Sequence, residues 1–205
     1  MKRNFLSIND LSKKEFLKIL NYSKKFKESK KYPKVLKNKI AILIFQKPST
    51  RTRVSFELAV VKLGGYVISL NFSEMQLSRG ESIEDTIRTL ERYCNLIAAR
   101  VYLHEDLIKM ANISKVPVIN LLSNFEHPCQ ALADILTIDE KIGLKNVEKI
   151  AYIGDGNNNV CHSLILACNK IGIKLFVASP KKYFPSNKIL ENVDKDLIKV
   201  LENPK

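Results

Sequence analysis

The sequence lacks long apolar runs, cysteine pairs and acidic residues, and each shortage limits what the protein can be. No stretch reaches the roughly 18 apolar residues that cross a bilayer, so we expect no membrane span. The N-terminus, Met1 to Phe5, is basic but lacks the apolar segment of a secretory signal. None of the 4 cysteines forms a Cys-x-x-Cys pair, so neither a zinc knuckle nor a redox pair is indicated. We expect buried, reduced thiols and a cytoplasmic protein.

The charge balance is strongly basic, with 34 lysines and arginines against 21 acidic residues and a formal net charge of +13. Such an excess suits nucleic acid, a membrane surface or an anionic small substrate. Much of it lies in lysines between 24 and 39, where no recognisable RNA- or DNA-binding pattern accompanies them. We interpret this run as a solvated helix face and loop, and expect neither nucleic acid nor membrane as a partner. A nucleic-acid-binding protein is the distant alternative.

Residues 40–65 have the pattern of a strand followed by a helix. The apolar run 40–45 predicts a buried strand, which Lys47-Pro48 would end. Ser49 is a favoured helix N-cap, and a helix over 50–63 would then end at Gly64-Gly65. The apolar side chains of this predicted helix recur at helical spacing, at Val54, Leu58 and Val61.

The run Ser49-Thr50-Arg51-Thr52-Arg53 lies at the start of this predicted helix, and we interpret it as an anion site. A helix N-terminus presents unpaired N–H groups and a partial positive charge. Two arginines and three hydroxyls at the same place add charged and neutral donors. Phosphate is the ligand that this combination favours. An ordinary capped helix with solvated arginines is the alternative.

Strand-like and helix-like segments alternate along the chain, which predicts an α/β fold with a parallel sheet flanked by helices. We expect one domain over 1–145, and a second, Rossmann-like α/β domain that begins within 146–205 with only two strands. Two strands cannot build an independent α/β domain, so we expect a C-terminal truncation. The other expected strands are 66–70, 96–101, 116–122, 149–153 and 174–178, and the other expected helices are 12–28, 82–93, 104–111, 127–142 and 158–171.

Two polar features follow predicted elements of the first domain. The loop 75–82 is rich in donors and acceptors, which suits either a mobile substrate loop or a plain surface connection. Arg100 ends an otherwise apolar strand, and open α/β sheets bind ligands beyond the carboxyl ends of their strands. Arg100 would therefore contact an anion or, alternatively, form a structural ion pair.

Two helix entries carry further polar groups. His127 and Gln130 lie three residues apart at the start of a long helix, where they could polarise a carbonyl oxygen, although His127 could also serve only as a cap. Gly154-Asp155-Gly156 precedes three asparagines, and Asn159 stands where a dinucleotide fingerprint would have its third glycine. Asparagines at a helix entry suit the amino and carboxylate groups of an amino acid instead.

Two of these segments resemble the signatures of the aspartate/ornithine carbamoyltransferase family, and the resemblance extends over essentially the whole chain. The segment 49–53 is similar to the carbamoyl phosphate signature, and His127-Pro128-Cys129-Gln130-Ala131-Leu132-Ala133-Asp134 is similar to the second one. The loop 75–81 lacks the lysine that aspartate-using members carry before Gly-Glu, and asparagines follow Gly154-Asp155-Gly156. Both places resemble the ornithine-using members.

The resemblance implies transfer of a carbamoyl group from carbamoyl phosphate to the δ-amine of ornithine, giving citrulline and phosphate. It implies a homotrimer, or a multiple of one, and no metal or organic cofactor. Arg51, Arg100 and His127 would be catalytic, and Asn159 would bind ornithine. The implied contacts of carbamoyl phosphate are Ser49, Thr50, Arg51, Thr52, Arg100, His127, Gln130 and, from a neighbouring subunit, Gln76.

The sequence departs from the family in its second domain. The family's Asp-x-Trp, Ser-Met-Gly and His-Cys-Leu-Pro segments do not occur here, so we assign no catalytic cysteine. The alternative to an enzyme is therefore a truncated, non-catalytic module that binds carbamoyl phosphate.

Overall fold

The computed structural model describes residues 2–204 and separates into two compact units. The helices are α1 (Lys13–Ser29), α2 (Arg51–Lys62), α3 (Ile83–Leu90), α4 (His104–Ile113), α5 (Pro128–Ile142), α6 (Asn159–Ile171) and α7 (Asn187–Leu190). The strands are β1 (Ile40–Phe45), β2 (Tyr66–Asn71), β3 (Leu96–Arg100), β4 (Val118–Leu122), β5 (Lys149–Ile153), β6 (Lys174–Ala178) and β7 (Ile198–Leu201). Among residues 2–204, no helix is both long enough and apolar enough to cross a membrane.

The two units do not follow the boundary expected at residue 145. One unit takes the chain up to Leu6 together with 29–124, and the other takes 7–28 and the chain from Phe125 onward. Helices α1 and α5 therefore group with the second unit, although both precede residue 145.

The first unit is built on a parallel sheet with strand order β2-β1-β3-β4. Its central strand β1 is buried from Ala41 to Phe45, which explains why it appears in the sequence as a continuous apolar run. Ile42 and Ile44 face a cluster that includes Ile87 of α3 and Leu107 of α4. Alternate residues face the opposite cluster, where Phe56 of α2 packs. The expected parallel sheet with helices on both faces is confirmed.

Helix α2 differs from its expected form in two ways. Ser49 is not its N-cap: Thr50 occupies that position, with helical dihedral angles and no capping side-chain bond. The predicted apolar stripe does not face the core, since Val54, Leu58 and Val61 are 57%, 49% and 53% exposed. Helical spacing identified a stripe, but Val60 rather than the stripe supplies the buried side chain of α2. The start of α2 thus keeps its first N–H groups without an intrahelical partner.

The second unit is built on a smaller parallel sheet with strand order β5-β6-β7. The expectation of only two strands here was wrong, because β7 pairs with β6 over Ile198 to Leu201. Lys199 interrupts this short segment, so it lacks the apolar run that marked the other strands. Helix α6 is buried from Cys161 to Cys168 and packs on β6.

Helices α1 and α5 are joined on the same unit by two ion pairs. Lys24 Nζ lies 2.5 Å from Asp139 Oδ2, and Lys27 Nζ lies 2.6 Å from Glu140 Oε2. A capping box lies at the start of α1, since Ser12 N–H donates to Glu15 Oε2 at 2.9 Å and Glu15 N–H donates to Ser12 Oγ at 3.3 Å.

Candidate functional sites

The order of the first sheet creates a switch point between β1 and β3. The chain leaves β1 through α2 toward β2 on one side, while β3 and β4 lie on the other side. Phe45 and Arg100 are register partners at the carboxyl ends of β1 and β3, and Gln46 N–H donates to Arg100 O at 2.8 Å. Ligands of open α/β sheets bind in the crevice beyond such a point. The geometry therefore identifies this edge as the candidate site of the first unit.

A cavity of about 620 Å³ lies beyond the end of β1. Lys47 contributes a cation there, with its Nζ 4.7 Å from the centre of the Tyr102 ring. Gln46 is fixed beside it, because its Oε1 accepts a hydrogen bond from Tyr102 N at 2.7 Å. The lining residues are Phe45, Gln46, Lys47, Pro48, Ser49, Thr50, Arg53, Val54, Asn71, Phe72 and Ser73. Lys47 was predicted only to end the strand, although a cation two residues beyond a buried strand could have indicated its place here.

Only some residues of the predicted anion site, 49–53, line the cavity. Ser49 and Thr50 line the cavity, whereas Arg51 and Thr52 do not. Arg51 is exposed at the first position of α2, while Arg53 Nε is bound to Glu57 Oε1 at 3.0 Å. The two arginines are therefore not equivalent, since Arg53 is paired with a carboxylate and Arg51, among residues 2–204, is not.

Arg100 is half-buried at the end of β3, next to this cavity's Phe45. Burial lowers the pKa of its guanidinium, and its Nε is enclosed without a hydrogen-bond partner within residues 2–204. A buried donor that lacks a partner is costly. An anion or carbonyl oxygen that reached Arg100 would remove that cost.

Gln76 lies apart from the cavity residues. It is exposed at the start of a 3₁₀ helix, Gln76–Arg79, which the sequence did not predict within the loop 75–82. Ser78 Oγ donates to Met75 O at 2.7 Å, and Gly80 ends the turn with a φ of 96°. The loop is thus locally ordered, with the side chain of Gln76 toward solvent.

In the second unit, His127 and Gln130 have different surroundings. His127 is buried at the N-cap position of α5, and its backbone N–H donates to Ser163 Oγ at 2.9 Å. Gln130 is exposed, and its Nε2 donates to Asp134 Oδ1 at 2.9 Å. The amide nitrogen carries a second N–H, so Gln130 can donate to a ligand while it keeps this intrahelical bond.

The asparagine run at the start of α6 separates into a cap and a first helical residue. Asn158 is the N-cap, and its Oδ1 accepts from Val160 N at 2.9 Å and from Cys161 N at 3.0 Å. Asn159 is the first residue of the helix and is half-buried. Gly156 cannot be replaced easily, since a Cβ there would lie 2.9 Å from Tyr183 O.

The predicted burial of the thiols is confirmed for Cys94, Cys161 and Cys168, whereas Cys129 is only half-buried. Burial raises the pKa values of Cys161 and Cys168 to about 12, so both remain protonated and unreactive at neutral pH. Among residues 2–204, no group of three or more His, Cys, Asp or Glu side chains could hold a metal ion.

Three buried polar residues of the second unit were missed by the sequence analysis. Glu126, His162 and Ser163 are 2%, 2% and 0% exposed. His162 and Ser163 stand within an apolar helix, and Glu126 directly precedes His127. A polar pair inside an apolar helix is a usable signal, but its partners are distant in sequence.

Comparison with known proteins assigns the family. The profile described as aspartate/ornithine carbamoyltransferase, carbamoyl-P binding domain, matches residues 3–140, and that of the Asp/Orn binding domain matches residues 146–202. The chain therefore belongs to the aspartate/ornithine carbamoyltransferase family.

Several of the similar proteins are named ornithine carbamoyltransferases, and the catalytic subunit of an aspartate transcarbamoylase from M. jannaschii also matches, with a TM-score of 0.84 at 34% identity, covering 99% of this chain and 69% of that one. The ornithine carbamoyltransferase of Pyrococcus horikoshii is 50% identical over 192 residues, which cover 92% of this chain and 60% of that protein. The Pyrococcus furiosus ornithine carbamoyltransferase structure has a TM-score of 0.91 at 44% identity and matches 98% of this chain and 67% of that one. The anabolic enzyme of Campylobacter jejuni gives a TM-score of 0.92 at 39% identity, with 99% and 68% coverage. The chain spans about 60% of the length of the curated relatives it matches.

Glu57 provides a pH test of the cavity wall. Hydrogen bonds from Ser69 and Arg53 hold the pKa of its carboxyl below its ordinary value. A lowered carboxyl pKa contributes stability above the unfolded pKa and loses it as pH falls through the folded pKa. We expect Glu57→Gln to lower the unfolding midpoint at pH 7 by roughly 1–3 °C, and the difference to shrink below about pH 4.3.

Thermal unfolding between pH 7 and pH 3 measures this difference. Glu148→Gln, at an exposed position outside the helices and strands, is the control and should behave like the parent protein. A Glu57→Gln deficit that stays constant down to pH 3 would contradict the assigned hydrogen bonds.

Proposed function

We propose that the protein is an ornithine carbamoyltransferase, acting in arginine metabolism. The observation that carries this proposal is the anion-receptive edge at the switch point of the first sheet, within the segment that matches the carbamoyl phosphate domain. The names of the similar proteins, at up to 50% identity, favour ornithine as the second substrate. We also propose that residues 1–145 serve carbamoyl phosphate and residues 146–205 belong to the ornithine-binding domain, which the two profile ranges support.

The phosphate of carbamoyl phosphate would bind at the start of α2. The phosphate would accept hydrogen bonds from hydroxyls, from backbone N–H groups and from one guanidinium, supplied by Ser49, Thr50, Arg51 and Thr52. In support of this, Arg51 is exposed and is not held by a carboxylate among residues 2–204. Arg53 would form part of the pocket wall instead, because its guanidinium is already paired with the carboxylate of Glu57.

The reaction would be an attack by the neutral δ-amine of ornithine on the carbamoyl carbon. The new C–N bond would form, the C–O bond to phosphate would break with its electron pair leaving on the phosphate, and the proton lost by the amine would be taken up by the released phosphate. Arg100 and His127 would stabilise the oxyanion that develops on the carbamoyl oxygen, and the α2 terminus would stabilise the leaving phosphate. Gln130 would contact the carbamoyl group, and Asn159 would bind ornithine. No step requires a metal or an organic cofactor.

Arg51→Ala tests the phosphate site. The substitution removes a charge-assisted bond to phosphate, so we expect carbamoyl phosphate to bind at least about tenfold more weakly. Isothermal titration of the folded variant measures the affinity. Arg92→Ala is the matched control, because Arg92 is another exposed arginine of the first unit. Unchanged affinity in Arg51→Ala would refute this assignment.

A second candidate function is a non-catalytic module that binds carbamoyl phosphate. The observation that favours it is that every residue lining the cavity lies in the first unit, so an anion could bind there without a contribution from the second unit. The decisive assay is citrulline formation by the purified 205-residue chain with both substrates present. Citrulline above the rate of a His127→Ala control supports the enzyme. Carbamoyl phosphate binding without citrulline supports the module.

We propose a homotrimer, or a multiple of one, with Gln76 reaching the carbamoyl phosphate of a neighbouring subunit. The outward stripe of Val54, Leu58 and Val61 on α2 supports burial against another copy, since exposed apolar patches mark interaction surfaces. A cytoplasmic location is part of the proposal, supported by the buried thiols.

Leu58→Lys tests the oligomer. Light scattering of the parent protein should give a mass about three times 23.4 kDa, or a multiple of that, and Leu58→Lys should shift it toward the single-chain mass. Val35→Lys is the control, because Val35 is 67% exposed but lies outside α2. A parent protein that is a monomer at assay concentration would contradict this part of the proposal.

A further inference from the structure

Two adjacent side chains of α6 hold the segment that carries His127. His162 and Ser163 are both buried, and α6 packs against α5. The backbone on either side of Glu126 is bound by this pair: His162 Nδ1 lies 2.9 Å from Phe125 O, and His127 N–H donates to Ser163 Oγ at 2.9 Å. Since His127 is the N-cap of α5, these two bonds set where its backbone enters the helix.

Glu126 closes this arrangement. Ser163 Oγ donates to Glu126 Oε2 at 3.1 Å, so the hydroxyl receives from His127 and donates to the neighbouring carboxylate. Glu126 Oε2 also accepts a hydrogen bond from Ile8 N–H at 3.2 Å. A hydroxyl has one proton to donate, so the bond to Glu126 fixes its rotation and aims a lone pair at His127. Burial raises the pKa of Glu126, which its hydrogen bonds partly offset.

His162 is held in one tautomer by its two partners. Phe125 O can only accept, so Nδ1 carries the proton, while Ser186 N–H donates to Nε2 at 3.2 Å. Burial also lowers the pKa of His162, which favours the neutral ring that both bonds require. The ring is packed beside Phe125, with centroids 5.1 Å apart.

From these contacts we infer that His162 and Ser163 are positioning residues for His127, with Glu126 as the anchor of Ser163. The inference rests on the proposed function, in which His127 contacts the carbamoyl oxygen. Catalytic hydrogen bonds depend strongly on placement, because donors act only near the position where charge develops. The same helix begins at Asn159, so α6 would position one group for each substrate.

The test compares Ser163→Ala with Ser163→Thr in the full chain. Ser163→Ala should lower kcat by about fivefold or more, the effect of one lost hydrogen bond, while KM for carbamoyl phosphate stays within about twofold. Ser163→Thr keeps the hydroxyl and should recover most of kcat. His162→Asn keeps a donor near the Nδ1 position and should exceed His162→Leu in kcat.

A double variant distinguishes an effect on the position of His127 from an effect on the stability of the whole protein. In a His127→Ala background, Ser163→Ala should cause no further loss of kcat, because nothing is left to position. An additive further loss would overturn the inference. If His127→Ala itself keeps full kcat, the proposed function of His127 fails instead.

A structural measurement decides the inference if the chain forms no citrulline. Hydrogen exchange of the His127 amide should accelerate by about fivefold in Ser163→Ala, and the NMR signal of the His127 ring should shift. Thr137→Ala, which removes a different hydroxyl bond of α5, should leave both unchanged. Unaltered exchange and an unaltered ring signal in Ser163→Ala would overturn the inference.

Discussion

The parallel register between β1 and β3 is the constraint on which the candidate anion site depends. It sets Arg100 beside Phe45 and ties Gln46 to Arg100 through the backbone. From that fixed point the chain continues through Lys47 into α2, so one strand pairing determines where two cations and a helix N-terminus stand. A slip of one residue would turn Arg100 to the other face of the sheet.

The second unit contains buried polar side chains near His127. Glu126, His162 and Ser163 would be costly in an apolar helix layer without partners. Each is bound, and the bonds converge on the backbone next to His127. A buried network of this kind, in which each of the three side chains has a partner, favours one local arrangement over its alternatives. The same requirement for paired donors leaves the buried Nε of Arg100, in the first unit, as a group that a ligand can satisfy.

Much of the fold could be predicted from the sequence, because buried parallel strands leave continuous apolar runs. The strands 40–45, 149–153 and 174–178 were predicted with the bounds that the structure has. The strand at Ile198–Leu201 was missed because Lys199 breaks its run. The apolar stripe of α2 has the predicted helical spacing but is exposed, because spacing shows that an apolar face exists and not which way it points.

The candidate sites were predictable to the extent that their signals are local. The strand end indicated Arg100, and the polar run at the helix entry indicated Ser49 and Thr50, although Thr50 rather than Ser49 is the N-cap. The bond between Arg53 and Glu57 depends on the rotamers of the two side chains. The support of His127 from α6 joins residues 36 positions apart, and pattern reasoning cannot detect such a pair.

The most direct test of the anion site is an NMR titration of the 15N-labelled protein with carbamoyl phosphate and, separately, inorganic phosphate. The account predicts saturable shifts of the backbone amides of Ser49 to Arg53 and of the Arg100 side-chain Nε–H, with the lysine-rich segment 24–39 unaffected. Shifts confined to the lysine-rich segment, or no saturable shift at the start of α2, would contradict it.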